Sequence, residues 1–139
     1  MKKTFTFVLT FSLTLSIAAL AKIEIQNAWV HSASDGKSVC VFMKIVNTSD
    51  TADKLVNAHS NVSSRTELVA HEEDDGVMQQ KRVGFIEIPA KGSKLLNQDG
   101  SHVNLVGLKK NLEPGDLVRI NLHFQEAGDV IANAPVKAQ

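Results

Sequence analysis

Three side chains in the second half of this chain have the chemistry to hold a soft metal ion: His71, Met78 and His102. Imidazole nitrogen and thioether sulfur suit Cu(I), whereas amide oxygen suits harder cations. The three accompany a spaced series. Val69 is followed after ten residues by Gln80, and after twenty-one more by His102-Val103-Asn104. Within that series Val69 carries no donor atom, Gln80 and Asn104 carry amide oxygens, and His102 alone is a ligand for a soft ion. His71 and Met78 each stand two residues from a member of the series, so on a strand they share its face. If Val69 and Gln80 oppose each other across a hairpin, His71 and Met78 oppose each other one rung nearer the tip, roughly 7 Å away at ~3.4 Å per residue. Together His71, Met78 and His102 are the candidate ligands of a copper site one rung from that series. The harder alternative is weak Cu(II) or Zn(II) binding by the two histidines with Gln80 or Asn104.

The elements that must position these residues are strands. Short apolar runs are broken by turn residues every eight to twelve positions, the pattern of an all-β sandwich or barrel. Strands are expected at 23–30, 39–47, 54–58, 65–71, 77–83, 85–88, 94–96, 102–108, 117–124 and 129–134. Turns are expected at 47–50, 89–92, 98–100 and 113–116, and the acidic run Glu72-Glu73-Asp74-Asp75-Gly76 reads as a solvated hairpin tip. Val118, Ile120, Leu122 and Phe124 alternate with Arg119, Asn121, His123 and Gln125, which puts His123 on the solvent face. The run 39–46 is apolar on both faces, which predicts a central, fully covered strand. Cys40 within it reads as a buried inert thiol, with no CxxC and no adjacent basic residue to activate it. His31 and His59 lie off the spaced series and read as surface residues. Neither an internal repeat nor a linker is visible, so one domain is expected.

A family resemblance runs through nearly all of this pattern. Ile25-Gln26-Asn27-Ala28-Trp29-Val30 is similar to the D-A-W-V opening of periplasmic copper chaperones of the PCu(A)C family. Phe42-Met43-Lys44-Ile45-Val46-Asn47-Thr48 resembles their Y-M-x-I-x-N-T strand, and Lys54-Leu55-Val56-Asn57-Ala58 their D-x-L-V-G-A. Ser64-Arg65-Thr66-Glu67-Leu68, Gly76-Val77-Met78 and Glu87-Ile88-Pro89-Ala90-Lys91-Gly92 follow in the family's order. Gly107-Leu108-Lys109-Lys110-Asn111-Leu112 and Pro114-Gly115-Asp116 close the series. Each motif alone is weak; their order and gaps are specific.

The resemblance implies a cupredoxin-like Greek-key β-sandwich that carries one Cu(I) near its surface to the copper centre of a terminal oxidase. It also implies a ligand set. The family's first ligand, His or Met, falls on Val69; the second, Met, on Gln80; the third, His, on His102; the fourth, Met, on Asn104. Three of those four positions have lost their donor. The expected function is therefore a copper-chaperone-family protein with an altered or weakened metal site. Its expected partner is a cytochrome oxidase copper-centre subunit or another periplasmic copper carrier. The alternative is a metal-free periplasmic interaction module that retains the scaffold.

The ends and the composition set the compartment. Lys2 and Lys3, an apolar stretch and Ala19-Leu20-Ala21 form a signal peptide over 1–21, with cleavage before Lys22 and a mature domain over 22–139. The stretch is short for a membrane span of ~20 residues and is interrupted by Thr and Ser. No Cys stands directly after the expected cleavage site, so neither a lipid anchor nor a stable membrane anchor is expected. The mature chain holds 13 basic and 15 acidic side chains, a net −2, and no basic stripe, which disfavours nucleic acid. No nucleophile elbow, HExxH or phosphate loop appears, so an enzyme is not expected.

Overall fold

The structure is a computed structural model that describes residues 22–138. The expected signal peptide lies outside the described residues. Ten strands follow one another: β1 (Ile23–His31), β2 (Val39–Asn47), β3 (Asp53–His59), β4 (Ser63–Asp74), β5 (Val77–Arg82), β6 (Ile86–Ile88), β7 (Gly92–Leu96), β8 (His102–Leu108), β9 (Leu117–Phe124) and β10 (Gly128–Lys137). Every expected strand is present, most within two residues of its expected limits.

The strands hydrogen-bond along one path, β5-β4-β8-β2-β1-β10-β9-β3-β6, with β7 on β2. Pairing is antiparallel except between β1 and β10, which meet in parallel at Val30–Val136 and His31–Lys137. There the path turns over and forms a second layer. Val41, Met43, Ile45, Val103 and Leu105 of the first layer pack with Ile120, Leu122, Phe124 and Ala134 of the second, all with essentially no exposure. Burial of each large apolar side chain contributes about 1.5–3 kcal/mol, and this interleaved core holds the layers together. Neighbours such as β4–β8 and β8–β2 are distant in sequence, as a Greek-key sandwich requires.

Three details shape the site. First, β2 is central in its sheet, but only one face is covered. Val39, Val41, Met43 and Ile45 are buried, whereas Cys40, Phe42, Lys44 and Val46 are half-buried. The expectation of a fully covered strand is corrected: on the second face Cys40 lines an open cleft and Phe42 stacks on Trp29, with no layer above them.

Second, β7 and β8 both pair with the same edge of β2, at Met43–Leu96 and at Val41–Val103. Residues 97–101 loop out between them, closed by Asn97 N–H to Ser101 O (3.1 Å) and Gly100 N–H to Asn97 O (3.2 Å).

Third, the β4–β5 hairpin turns on Asp75-Gly76 alone, with φ of +50° and +81°. Glu72 to Asp74 are strand, not turn. A two-residue turn with both φ positive favours Asp-Gly, because Gly adopts the second position without steric cost. A turn on Asp74-Asp75 would have given the expected register. With the turn on Asp75-Gly76, His71 opposes Gln80, Val69 opposes Arg82, and Met78 opposes Glu73.

Candidate metal centre

The outer face of the first layer carries the candidate donors. Across it, Cys40 opposes Asn104, Val69 opposes His102, and His71 opposes Gln80. His102 stands two residues before Asn104, His71 two after Val69, and Met78 two before Gln80. An even offset keeps the face. Cys40, His102, His71 and Met78 therefore lie on one diagonal across four adjacent strands, β2, β8, β4 and β5. Diagonal neighbours on an antiparallel sheet are about 7–8 Å apart, within reach of aromatic and long side chains.

The middle of the diagonal is the tightest part. The His71 and His102 rings are 6.5 Å apart between centroids and inclined at 76°. Two imidazoles on one ion, with N–metal bonds of ~2 Å, place their centroids about 5–6 Å apart, so a small closing motion suffices. His102 is 2% exposed. Its Nδ1 lies 2.9 Å from the Gly100 carbonyl oxygen. A carbonyl only accepts, so Nδ1–H donates and Nε2 is left as the lone-pair nitrogen. Histidines that bind metals are held in this way by a backbone carbonyl behind them. Loop 97–101 supplies that carbonyl, and the Gln80 amide secures the loop by donating to Gln98 O at 3.3 Å.

His71 is half-buried, and its Nε2 is shut off from solvent with no hydrogen-bond partner. An orphaned buried nitrogen costs about 1–3 kcal/mol, which a bound metal would relieve. Two unpartnered ring nitrogens on neighbouring imidazoles fit a soft or borderline ion. Met78, by contrast, is 61% exposed near the hairpin tip. It is a diagonal neighbour of His71 rather than its opposite. Among the described residues no three His, Cys, Asp or Glu side chains already converge on one point.

On the other side of His102 lies a cleft of about 310 Å³ lined by His31, Cys40, Gln80, Gln98, His102 and Asn104, with Ser38 and Val39. His31 is not the plain surface residue expected from its position. It is half-buried, its Nδ1 is enclosed without a partner, and its ring stands edge-on to Trp29 and Phe42 at 4.6 and 5.4 Å. The signal was available in the strand alternation, which puts Trp29 and His31 on one face. Burial pushes the Cys40 thiol up to about 12. His59 and His123 are surface residues as expected, bonded to Asn61 (3.3 Å) and Asp129 (2.8 Å).

A family model described as "Putative lipoprotein LpqE-like" matches residues 23–136. The chain belongs to the LpqE-like family. A protein of Leifsonia xyli subsp. xyli (strain CTCB07), "Putative lipoprotein Lxx21020", is 32% identical over 117 residues, which span 83% of this LpqE-like chain and 69% of that protein. Among solved structures, the apo PCuAC domain from PmoF1 superposes with a TM-score of 0.72 at 26% identity, covering 86% of this chain and 97% of that one. The copper-bound PCuAC domain from PmoF2 gives 0.71 at 26% identity, over 87% and 97%. The solution structure of CuI-DR1885 from Deinococcus radiodurans gives 0.67 at 29% identity, over 87% and 83%. The PCu(A)C resemblance read from the motifs and the cupredoxin-like all-β fold are thus borne out. The family description and the relative's name both carry the word lipoprotein; in this LpqE-like chain the one cysteine, Cys40, lies inside β2.

Proposed function

We propose that this LpqE-like protein is an exported copper carrier that holds one Cu(I) on His102 and His71, with Met78 as an outer thioether donor. The observation that carries this reading is the pair of free nitrogens, His102 Nε2 and the enclosed His71 Nε2, on adjacent strands. Family likeness to copper-bound domains supports copper as the cargo. The signal segment read from the sequence supports a periplasmic setting.

The site is weaker than that of a full-ligand relative. Val69, Gln80 and Asn104 stand where that family has donors, and neither amide oxygen replaces a soft sulfur. Weak, partly open coordination suits hand-over. Met78 is long, exposed and one diagonal step from His71, so it can release an ion to an incoming ligand without unfolding the sheet. The acceptor in this reading is an oxidase copper-centre subunit or another periplasmic carrier.

A metal-free interaction module is favoured by one specific observation: the Gln80 amide is engaged in holding loop 97–101 rather than facing an ion. Anaerobic Cu(I) titration against a calibrated chelator separates the two. A carrier binds one equivalent, and His102→Ala and His71→Ala each weaken it at least tenfold. Binding no stronger than that of the double variant would sink copper carriage and leave the interaction module.

A further inference from the structure

We infer that Cys40 is a copper ligand, the inner sulfur that accompanies His102 Nε2 when Cu(I) is held. This rests on the copper-carrier reading above and gives the ion a second position, on the Cys40 flank of His102, which shares that imidazole with the His71 flank.

Four observations converge on Cys40. It is the diagonal neighbour of His102, because it opposes Asn104 across β2 and β8, and it is thereby related to His102 as His71 is from the other flank. It lines one cleft with His102, and the cleft is large enough to admit an ion. His102 is almost fully buried, with its Nδ1 tied to Gly100 and no hydrogen bond at Nε2. The Cys40 thiol is itself uncommitted, since its one hydrogen bond is a 3.7 Å contact to Val41 O. His31 stands behind it. The β1–β2 ladder ends at Val30–Val41, and the next rung sets His31 beside Cys40, with Nδ1 enclosed and unpartnered.

The chemistry is that of a soft cation meeting a soft anion. Thiolate is the strongest of the soft donors offered by a protein to Cu(I). On ligation the S–H bond breaks, sulfur keeps the electron pair, and the proton leaves to water. The metal overrides the burial that holds the free thiol protonated. Cu(I) and thiolate together are neutral, as are the imidazoles, so the half-buried cleft takes up no net charge. Cys40 and Met78 lie three diagonal steps apart, about 20 Å or more at 7–8 Å each, so Cys40 retains the ion with His102 alone and Met78 serves the other flank. The sulfur chemistry missing at positions 80 and 104 reappears at the two ends of the diagonal.

The test is copper-edge X-ray absorption on the protein loaded anaerobically with less than one equivalent of Cu(I), for the unmutated chain, Cys40→Ser and Met78→Leu. A sulfur shell at roughly 2.3 Å beside nitrogen, lost in Cys40→Ser and kept in Met78→Leu, is the expected result. Loss in Met78→Leu with retention in Cys40→Ser, or nitrogen alone in the unmutated chain, overturns the role of Cys40 and leaves the carrier reading standing. Failure of the unmutated chain to retain copper overturns both. If near-UV circular dichroism shows Cys40→Ser misfolded, iodoacetamide labelling of the unmutated chain decides. At least tenfold protection of Cys40 by Cu(I), preserved in Met78→Leu, supports ligation, and equal rates with and without copper overturn it.

Discussion

One carbonyl, that of Gly100, decides which nitrogen of His102 faces the cleft. Nitrogen-15 correlation spectra of the metal-free protein should therefore show His102 as the Nδ1–H tautomer, with Nε2 unprotonated; an Nε2–H signal would contradict the geometry. Cys40 makes a second prediction at this scale. Burial raises its folded pKa to about 12, above an ordinary thiol value of ~8.5. Below the ordinary value both states are protonated and no stability is lost. Above it the unfolded chain ionises first, so stability declines progressively up to about 12. Urea unfolding of the metal-free protein across that range should show a decline that is shallower in Cys40→Ala. The place of His102 on the outer face, beside Val69 and near His71, followed from its strand and from the family motifs around it. The nearness of Cys40 to His102 and the enclosure of His31 did not, because neighbours across strands depend on pairings that no local pattern records.

At the scale of elements, the alternation of apolar and polar residues was enough to find all ten strands. It was not enough to pair them. The hairpin register turned on which two acidic-run residues make the turn, and the Asp75-Gly76 dipeptide carried that signal. Gly76→Ala should lower stability by about 1–2 kcal/mol, the cost of a Cβ at positive φ, as measured by denaturant unfolding. A second device secures the turn between β9 and β10. Asp53 is buried, and its carboxylate accepts N–H groups from Lys54 (2.7 Å), Glu126 (2.9 Å) and Ala127 (3.0 Å). Asp53→Ala strands these donors and should cost roughly 2–3 kcal/mol by the same measurement. Amide exchange at Glu126 and Ala127 should accelerate with it, whereas exchange in β4 should not.

For the whole molecule, stability and metal chemistry occupy opposite sides of the first layer. The inner side packs on the second layer and the outer side carries the donors. Leu122→Ala, in the second-layer contribution to the core, should cost about 2–5 kcal/mol in thermal or urea unfolding, yet leave Cu(I) affinity per folded molecule unchanged. The overall architecture was legible because the motif series extends across both layers. The diagonal of donors adds a rule about length. Each donor stands an even number of residues from the residue that opposes its neighbour, so parity keeps all four side chains on one surface. Removing Val77 alone would turn Met78 to the opposite surface while leaving the composition of donors untouched. Along this hairpin, insertions and deletions can accumulate only in pairs without moving side chains to the other surface, so copper carriage on this face would restrict how the gene can change in length as well as in spelling.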